Sequence, residues 1–188
     1  ALVLRTGALP VRLEAAYQQE VSATLGKDSL NQALIAGFVG LGLVLLYMLL
    51  YYRFLGLVAD LALIVYGVLL WGLFNAIPVT LTLPGIAGMI LTIGVAADAN
   101  VVIFERIKEE VRSGKTVRSA VNSGYARGFK TILDANILTI LTAAVLFVFG
   151  TASPKGFALT LILGVLVSML TAVLFTRAML GLLAGFSF

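Results

Sequence analysis

The sequence contains no cysteine and no histidine, and only 12% of its 188 residues are charged. Without cysteine, disulfide bonds and thiolate metal sites are excluded. Without histidine, the chain lacks the commonest proton shuttle and metal ligand. A soluble domain of this size would carry about twice this charged fraction. Because 61% of the residues are apolar, we predict an all-α membrane protein.

The motifs of common enzyme classes are also missing. No G-x-x-x-x-G-K-[ST] sequence is present, which excludes a P-loop for ATP. Serine and threonine have no histidine to activate them as nucleophiles. We therefore expect no catalytic residue, no metal and no cofactor, and any proton chemistry falls to the few acids. The net charge of +4 reflects an uneven distribution of Lys and Arg among loops, and we expect no nucleic acid as a partner.

Five stretches are long and apolar enough to cross a bilayer, which needs about 20 residues. The predicted spans are residues 30–52, 54–77, 82–104, 131–150 and 157–180. Residues 105–130, between the third and fourth spans, are amphipathic and rich in Lys and Arg. The positive-inside rule places this segment in the cytoplasm. We predict that it forms two short interfacial helices broken at Ser113 and Gly114.

This orientation places the N-terminal segment outside and the C-terminus in the cytoplasm. An odd number of spans with an outside N-terminus predicts at least one earlier span upstream. Residues 11–21 alternate apolar and polar side chains, which is typical of a half-buried strand. We therefore assign residues 1–29 to the tail of an extracytoplasmic domain and residues 30–188 to the transmembrane domain. Residues 26–29, Gly-Lys-Asp-Ser, predict a chain break and an N-cap before the first span.

Asp98 is the strongest candidate for function. A charged Asp at the centre of a membrane helix costs about 2.5–3.5 kcal/mol on insertion scales. Helical spacing places Gly94, Asp98, Glu105 and Glu109 along one stripe. Gly94 would let another helix approach the carboxylate closely, while Asn100 points to the opposite face and can hydrogen-bond a neighbouring helix. The alternative is a protonated Asp98 that only holds helices together.

The Asp-Ala-Asn triplet of Asp98 recurs at Asp134, near the start of the fourth predicted span. Asp134 is either part of a proton relay or a helix-start residue favoured by the helix dipole and sharing charge with Lys130. Asn136 lies deeper, on a small polar stripe suited to helix packing.

A third acid, Asp60, lies in the second span, where a structural or snorkelling role is the favoured interpretation. No Lys or Arg lies at a depth comparable with Asp60, Asp98 or Asp134. Charges inside a membrane are usually paired. Either these carboxylates are largely neutral, or a basic residue comes from another half or subunit.

Two further features have plain interpretations. We interpret the basic segment 105–130 as a topology determinant and a contact for anionic lipids rather than a specific binding site. We predict that most glycines of the spans are close-packing positions; these are Gly37, Gly40, Gly42, Gly85, Gly88, Gly94 and Gly164.

Several blocks of the chain resemble one family. Residues 94–110, GVAADANVVIFERIKEE, are similar to the fourth-span signature of the SecD branch of the SecD/SecF protein-export family, within the RND superfamily. Residues 4–10, 81–88 and 131–136 resemble further blocks of the family in the same order. The Glu-Arg-Ile sequence from Glu105 marks the SecD rather than the SecF branch, which usually has Asp-Arg-Ile.

The resemblance implies five helices of a six-helix RND-type bundle, below the end of an extracytoplasmic α+β domain. It implies an accessory subunit of the Sec translocase in the bacterial inner membrane, working with SecF (separate or fused), the SecYEG channel and unfolded preproteins. Members of the family use the proton motive force to drive late translocation, and Na⁺ in place of H⁺ is left open. Asp98 matches the proton site of the family, and we expect Glu105 and Arg106 to anchor the cytoplasmic end.

Two alternatives remain at the level of sequence. An RND-type exporter of small molecules or lipids would share the Asp98 motif but would not need the block at residues 4–10. A non-transporting membrane scaffold or assembly factor would use Asp98 only as a structural residue.

Overall fold

The computed structural model describes residues 23–77 and 82–185, and all regular structure in that part of the chain is helical. The elements are α1 (Ala23–Tyr52), α2 (Phe54–Ala76), α3 (Leu83–Arg112), α4 (Val117–Phe149), α5 (Ala152–Thr171), a π-helical turn (Ala172–Thr176) and α6 (Arg177–Gly185). α5, the π-helical turn and α6 form one continuous span, so the described residues contain five helices long and apolar enough to cross a membrane. This confirms the predicted fold class. The strand predicted for residues 11–21 lies outside the described residues.

The first helix begins earlier than the sequence indicated. α1 starts at Ala23 and continues through residues 26–29 without interruption, so the predicted break and N-cap there are wrong. A single glycine inside a helix costs only about 1 kcal/mol. The long apolar run that begins at Ala33 stabilises the helix enough to offset this cost.

The charged segment 105–130 is built from the ends of two long helices. α3 continues to Arg112 and α4 begins at Val117, so the prediction of two separate interfacial helices is wrong. The turn does fall at Ser113 and Gly114, where Gly114 adopts a φ of 88°. Extending an existing helix avoids the cost of a new helix nucleus, and both helices therefore project beyond the roughly 30 Å of the hydrocarbon core.

α3 and α5 pack through small side chains. A Cβ atom added to Gly164 would lie 2.5 Å from the Cβ of Thr92, which is fully buried. One turn earlier on each helix, Gly88 packs against Thr160 in the same way. Because lipid removes the hydrophobic drive between helices, close packing of small residues replaces it. By contrast, no atom of another described segment lies within 4 Å of a Cβ added to Gly40, Gly42 or Gly94.

α3 and α4 meet at a second glycine contact that sequence reasoning missed. A Cβ on Gly124 would lie 2.7 Å from the backbone N and Cα of Ile107, and a Cβ on Gly128 would lie 3.0 Å from the Cα of Ile103. The two glycines are four residues apart, which is the G-x-x-x-G pattern of close helix pairs. That pattern was the available signal.

A single residue, Arg53, joins α1 to α2. Its backbone has a φ of 49° and a ψ of −112°, a conformation that favours glycine. The first turn of α2 also packs tightly, because a Cβ atom added to Gly56 would clash with the backbone carbonyl of Met48. The connection therefore holds a non-glycine residue in a strained conformation.

We expect Arg53→Gly to raise the stability of the folded protein by about 1 kcal/mol, because glycine adopts this backbone conformation without steric cost. Thermal unfolding of the detergent-purified protein measures the change. Arg53→Ala is the matched control, since it removes the same charge but keeps the Cβ atom. Equal stability of the two variants would contradict the strain argument.

Candidate functional site

Asp98 lies near the middle of α3, and its side chain is exposed on the outer surface of the described bundle. Gly94, one turn earlier, is also exposed and has open space around it. Within residues 23–77 and 82–185, no helix therefore covers Asp98 or Gly94. The predicted close approach at Gly94 stays a prediction about a partner.

Asp98 and Asn136 line one small cavity between α3 and α4, with a volume of about 70 Å³. This volume accommodates about two water molecules at roughly 30 Å³ each. Asn136 is buried, and its Nδ2 atom has no hydrogen-bond partner within residues 23–77 and 82–185. A buried, unused N–H donor requires an explanation, and a water or the carboxylate of Asp98 would satisfy it. The rest of the lining is Val95, Ala99, Val102, Thr131, Ile132 and Ala135.

The acids of the spans have no cationic partner in the described part of the chain. All four ion pairs there lie between Glu105 and Arg127, in the charged segment. Asp60 is half-buried, and its Oδ1 atom is buried without a hydrogen-bond partner among the described residues. Nor do those residues contain a cluster of acids able to hold a metal ion. The sequence predicted that these acids lack a basic partner at their depth, and the described residues agree with this prediction.

Asp134 is exposed within α4 and does not line the cavity of Asp98. α4 begins at Val117, well before Asp134, so the interpretation of Asp134 as a helix-start residue is wrong. Nor does Lys130 form an ion pair with it among the described residues. The structure does not bring Asp98 and Asp134 into one cavity, and the proposed relay between them stays a prediction.

Asn100 connects α3 to the last span on the face away from Asp98. Its Nδ2 donates to the carbonyl of Ala96 at 3.2 Å, and its Oδ1 accepts a hydrogen bond from Thr176 Oγ1 at 2.8 Å. Thr176 ends the π-helical turn, and Tyr125 of α4 donates to the carbonyl of Ala172 at its start, at 3.1 Å. Helices α3 and α4 thus hold both ends of an irregular turn, a feature that is frequent at functional sites.

The charged end of α3 is anchored to α1 through Lys108. Lys108 Nζ lies 3.0 Å from Glu105 Oε1 and 4.1 Å from the ring centroid of Tyr52. Glu105 pairs with Lys108 within α3, and its role as an anchor of the cytoplasmic end stays a prediction. Among the described residues, Arg106 pairs only with Glu109, at 2.7 Å; both side chains are exposed, and such pairs contribute little to stability.

Glu110 is a buried acid that sequence reasoning did not single out. Its side chain is 5% exposed and forms ion pairs with Lys115 of the turn and with Arg127 Nη1 of α4, the latter at 2.7 Å. The hydrogen bond from Lys115, followed by the charge of Arg127, holds the pKa of the Glu110 carboxyl below its ordinary value. Glu110 therefore joins α3, the turn and α4 at the charged end.

Comparison with known proteins identifies the family. Residues 7–185 match the family model described as "Protein export membrane protein SecD/SecF, C-terminal". The chain belongs to the SecD/SecF family. The resemblance inferred from the motifs is thereby confirmed.

Individual SecD/SecF relatives agree with this assignment. The chain is 55% identical over 188 residues to the protein translocase subunit SecD of Acidaminococcus fermentans, covering all of this chain and 45% of that protein. It is 50% identical over 183 residues to the protein translocase subunit SecDF of Bacillus subtilis, covering 97% of this chain and 25% of that protein. The chain thus spans less than half the length of these relatives.

Solved SecDF structures share the fold. The crystal structure of SecDF from Thermus thermophilus, described as a translocon-associated membrane protein, superposes with a TM-score of 0.88 at 42% identity, covering 98% of this chain and 26% of that one. A second structure, of SecDF in a super-membrane-facing form, gives a TM-score of 0.82 at the same identity, with 98% and 25% covered.

Among the residues predicted for this SecD/SecF chain, the structure brings together Asp98 and Asn136. It leaves Gly94 and Asp134 on exposed surfaces. Thr176, which bonds Asn100, and Arg127, which pairs with Glu110, come from other helical elements, so no spacing within α3 could reveal these contacts. Their positions depend on how the helices pack.

We expect Glu110→Gln to lower the midpoint of thermal unfolding at pH 7, because Lys115 and Arg127 lose their shared buried partner. Glu109→Gln on the same helix is the matched control, and we expect it to have little effect. A pKa held below the ordinary 4.5 means that this stabilisation is present above that pH and is lost as the pH falls through the folded-state pKa. The difference between the wild type and Glu110→Gln should therefore shrink on acidification, and a difference that grows would contradict the assignment.

Proposed function

We propose that this chain is the transmembrane part of a SecD subunit that uses the proton motive force to drive late protein translocation. Membership of the SecD/SecF family supports the general role, since the relatives are translocase subunits. The observation that carries the proposal is the exposed carboxylate of Asp98 in the middle of a membrane-spanning helix. The role is mechanical, and no enzymatic step is assigned to it.

Asp98 alternately binds and releases a proton, and its charge controls how this half packs against a SecF half. Three observations support this step: the Asp98 side chain faces outward, Gly94 leaves room beside it, and no described cation of this chain neutralises it. A basic group of the partner would be attracted to the ionised form and released from the protonated form. Asn136 and any water in the adjoining cavity donate hydrogen bonds to the ionised carboxylate.

The hydrogen bond between Asn100 and Thr176 links α3 to the last span. Since α3 also packs closely on α5 and α4, a displacement of α3 carries these helices with it. This rigidity supports transmission of a change at Asp98 across the bundle to the extracytoplasmic part that handles the preprotein. In this arrangement the SecYEG channel and the preprotein are partners of the complete subunit.

The orientation follows from the charges. The segment around the turn between α3 and α4 carries most of the Lys and Arg, so we place it on the cytoplasmic side of the bacterial inner membrane. The N-terminus of α1 then faces outside. The coupling ion is the proton, with Na⁺ as the alternative that an ion-substitution measurement distinguishes.

The test is release of a preprotein from vesicles that contain the complete translocase. An imposed proton gradient should stimulate release with the wild type, and this stimulation should be lost with Asp98→Asn. Stimulated release at the wild-type level in the variant would overturn the proposal. Stimulation by a Na⁺ gradient but not by a proton gradient would assign the site to Na⁺.

A further inference from the structure

A second, larger cavity lies at the charged end of the bundle, between the start of α4 and the last span. Its volume of about 500 Å³ falls within the roughly 300–1,000 Å³ typical of small-molecule sites. The lining is Val121, Asn122, Tyr125, Ala126, Phe129, Arg177, Leu180 and Gly181. None of these residues belongs to the Asp98 cavity.

Arg177 supplies a cation to one wall of this cavity. Its guanidinium carbon lies 5.6 Å from the ring centroid of Tyr125, and the hydroxyl of Tyr125 is already used on Ala172. The Arg177 side chain is exposed, and the ion pairs of the described residues do not include it. Tyr125 therefore positions a positive charge that has no carboxylate partner in that part of the chain.

Two more cations lie on α4 next to the residues that line the cavity, although they are not themselves part of the lining. Asn122 and Ala126 line the cavity, and residues four positions apart lie above one another on a helix. Continuing this row in both directions gives Arg118 on one side and Lys130 on the other, both exposed and both outside the four described ion pairs. The amide of Asn122 adds a neutral hydrogen-bond donor between the two cations.

The remaining lining is apolar and continues onto the membrane-facing surface. Phe129 and Leu180 line the cavity, and the neighbouring Leu174 and Leu182 are exposed on the last span, at 61% and 63%. The cavity thus combines a cationic rim with an apolar floor, at the level where α4 passes from the charged segment to the apolar span. A ligand that fits both parts carries an anionic group and a hydrocarbon chain.

We propose that this cavity binds one anionic phospholipid. Its phosphate lies between Arg177 and the row of Arg118 and Asn122, and an acyl chain covers Phe129 and the exposed Leu174. Basic pockets between membrane helices on the cytoplasmic side are suited to such headgroups. The proposal is independent of the proton site, because it rests on other residues, and it replaces a diffuse contact of the basic segment by a defined site.

The test uses the complete subunit purified in detergent, and native mass spectrometry measures bound lipid. Dioctanoyl phosphatidylglycerol should bind, whereas dioctanoyl phosphatidylcholine and inorganic phosphate should bind much more weakly. Arg177→Gln should weaken phosphatidylglycerol binding about fivefold, since one basic residue contributes about this factor near an anionic lipid. Arg112→Gln is the matched control, because Arg112 is exposed in the same charged segment but does not line the cavity. Equal weakening by both variants, or phosphate binding as tight as lipid binding, would overturn the proposal.

A second variant separates shape from charge. Ala126→Trp fills the cavity and keeps all three cations, so it should also displace phosphatidylglycerol. Leu138→Trp, at a 66% exposed position of α4, is its control and should retain binding. A photoreactive side chain at Asn122, in nanodiscs of phosphatidylcholine and phosphatidylglycerol, should label lipid. Labelling of a polypeptide instead would show that a protein segment covers the cavity and would overturn the lipid assignment.

Discussion

Asp98→Asn is expected to abolish the gradient-stimulated part of preprotein release while leaving the amount of folded protein unchanged. Asparagine has nearly the same shape as aspartate but cannot bind and release a proton. An ionised Asp at the centre of a membrane helix costs about 2.5–3.5 kcal/mol, so the neutral variant should insert at least as well as the wild type. Release from vesicles with and without an imposed proton gradient, together with the expression level, separates the two effects.

Two variants serve as controls for this result. Glu109→Gln removes an acid from the same helix whose only described ion pair is the exposed one with Arg106, and it should keep full stimulation. Asp134→Asn tests the relay: a partial loss supports it, and full activity assigns proton transfer to Asp98 without Asp134. Full stimulation in Asp98→Asn would instead favour a non-transporting scaffold, in which the carboxylate is only structural.

The spans were predictable because each depends on a local property, an apolar run of sufficient length. The helix ends were less predictable, since they depend on competition between extending a helix and starting another. Residues 105–112 carry enough charge to suggest a separate element, yet they simply prolong α3. Likewise, the polar residues 26–29 are part of α1, because the described sequence around them contains no proline that would end the helix.

The candidate site was likewise only partly predictable from the sequence. The cost of a charge in lipid points to Asp98 from the sequence alone. The cavity that it shares with Asn136 depends on the register between α3 and α4, which no single helix reveals. The ion pair of Glu110 depends on this register too, since its partner Arg127 lies on the opposite side of the turn. So does the hydrogen bond that Tyr125 donates to the first carbonyl of the π-helical turn.

The register between α3 and α4 depends on the close contact at Gly124. We expect Gly124→Ala to destabilise the protein by about 1–3 kcal/mol, the usual cost of overpacking a close contact. The added Cβ would lie 2.7 Å from the backbone N and Cα of Ile107. Backbone atoms cannot rotate away, so α3 and α4 must separate. Separation there also strains the ion pair between Glu110 and Arg127 and widens the cavity between Asp98 and Asn136. Thermal unfolding measures the loss of stability, and gradient-stimulated release measures the effect on the site.

Gly40→Ala is the matched control, because the Cβ that the same substitution adds in α1 meets no atom of the described residues within 4 Å. Replacing glycine by alanine inside a helix otherwise stabilises it by about 0.5–1 kcal/mol, so the two variants should move the unfolding midpoint in opposite directions. If Gly124→Ala raised the midpoint as Gly40→Ala does, the close contact between α3 and α4 would not exist in the membrane. If Gly124→Ala lowered the midpoint but kept full preprotein release, the Asp98 cavity would tolerate a larger distance between α3 and α4. The proton site would then depend on α3 and the partner protein alone.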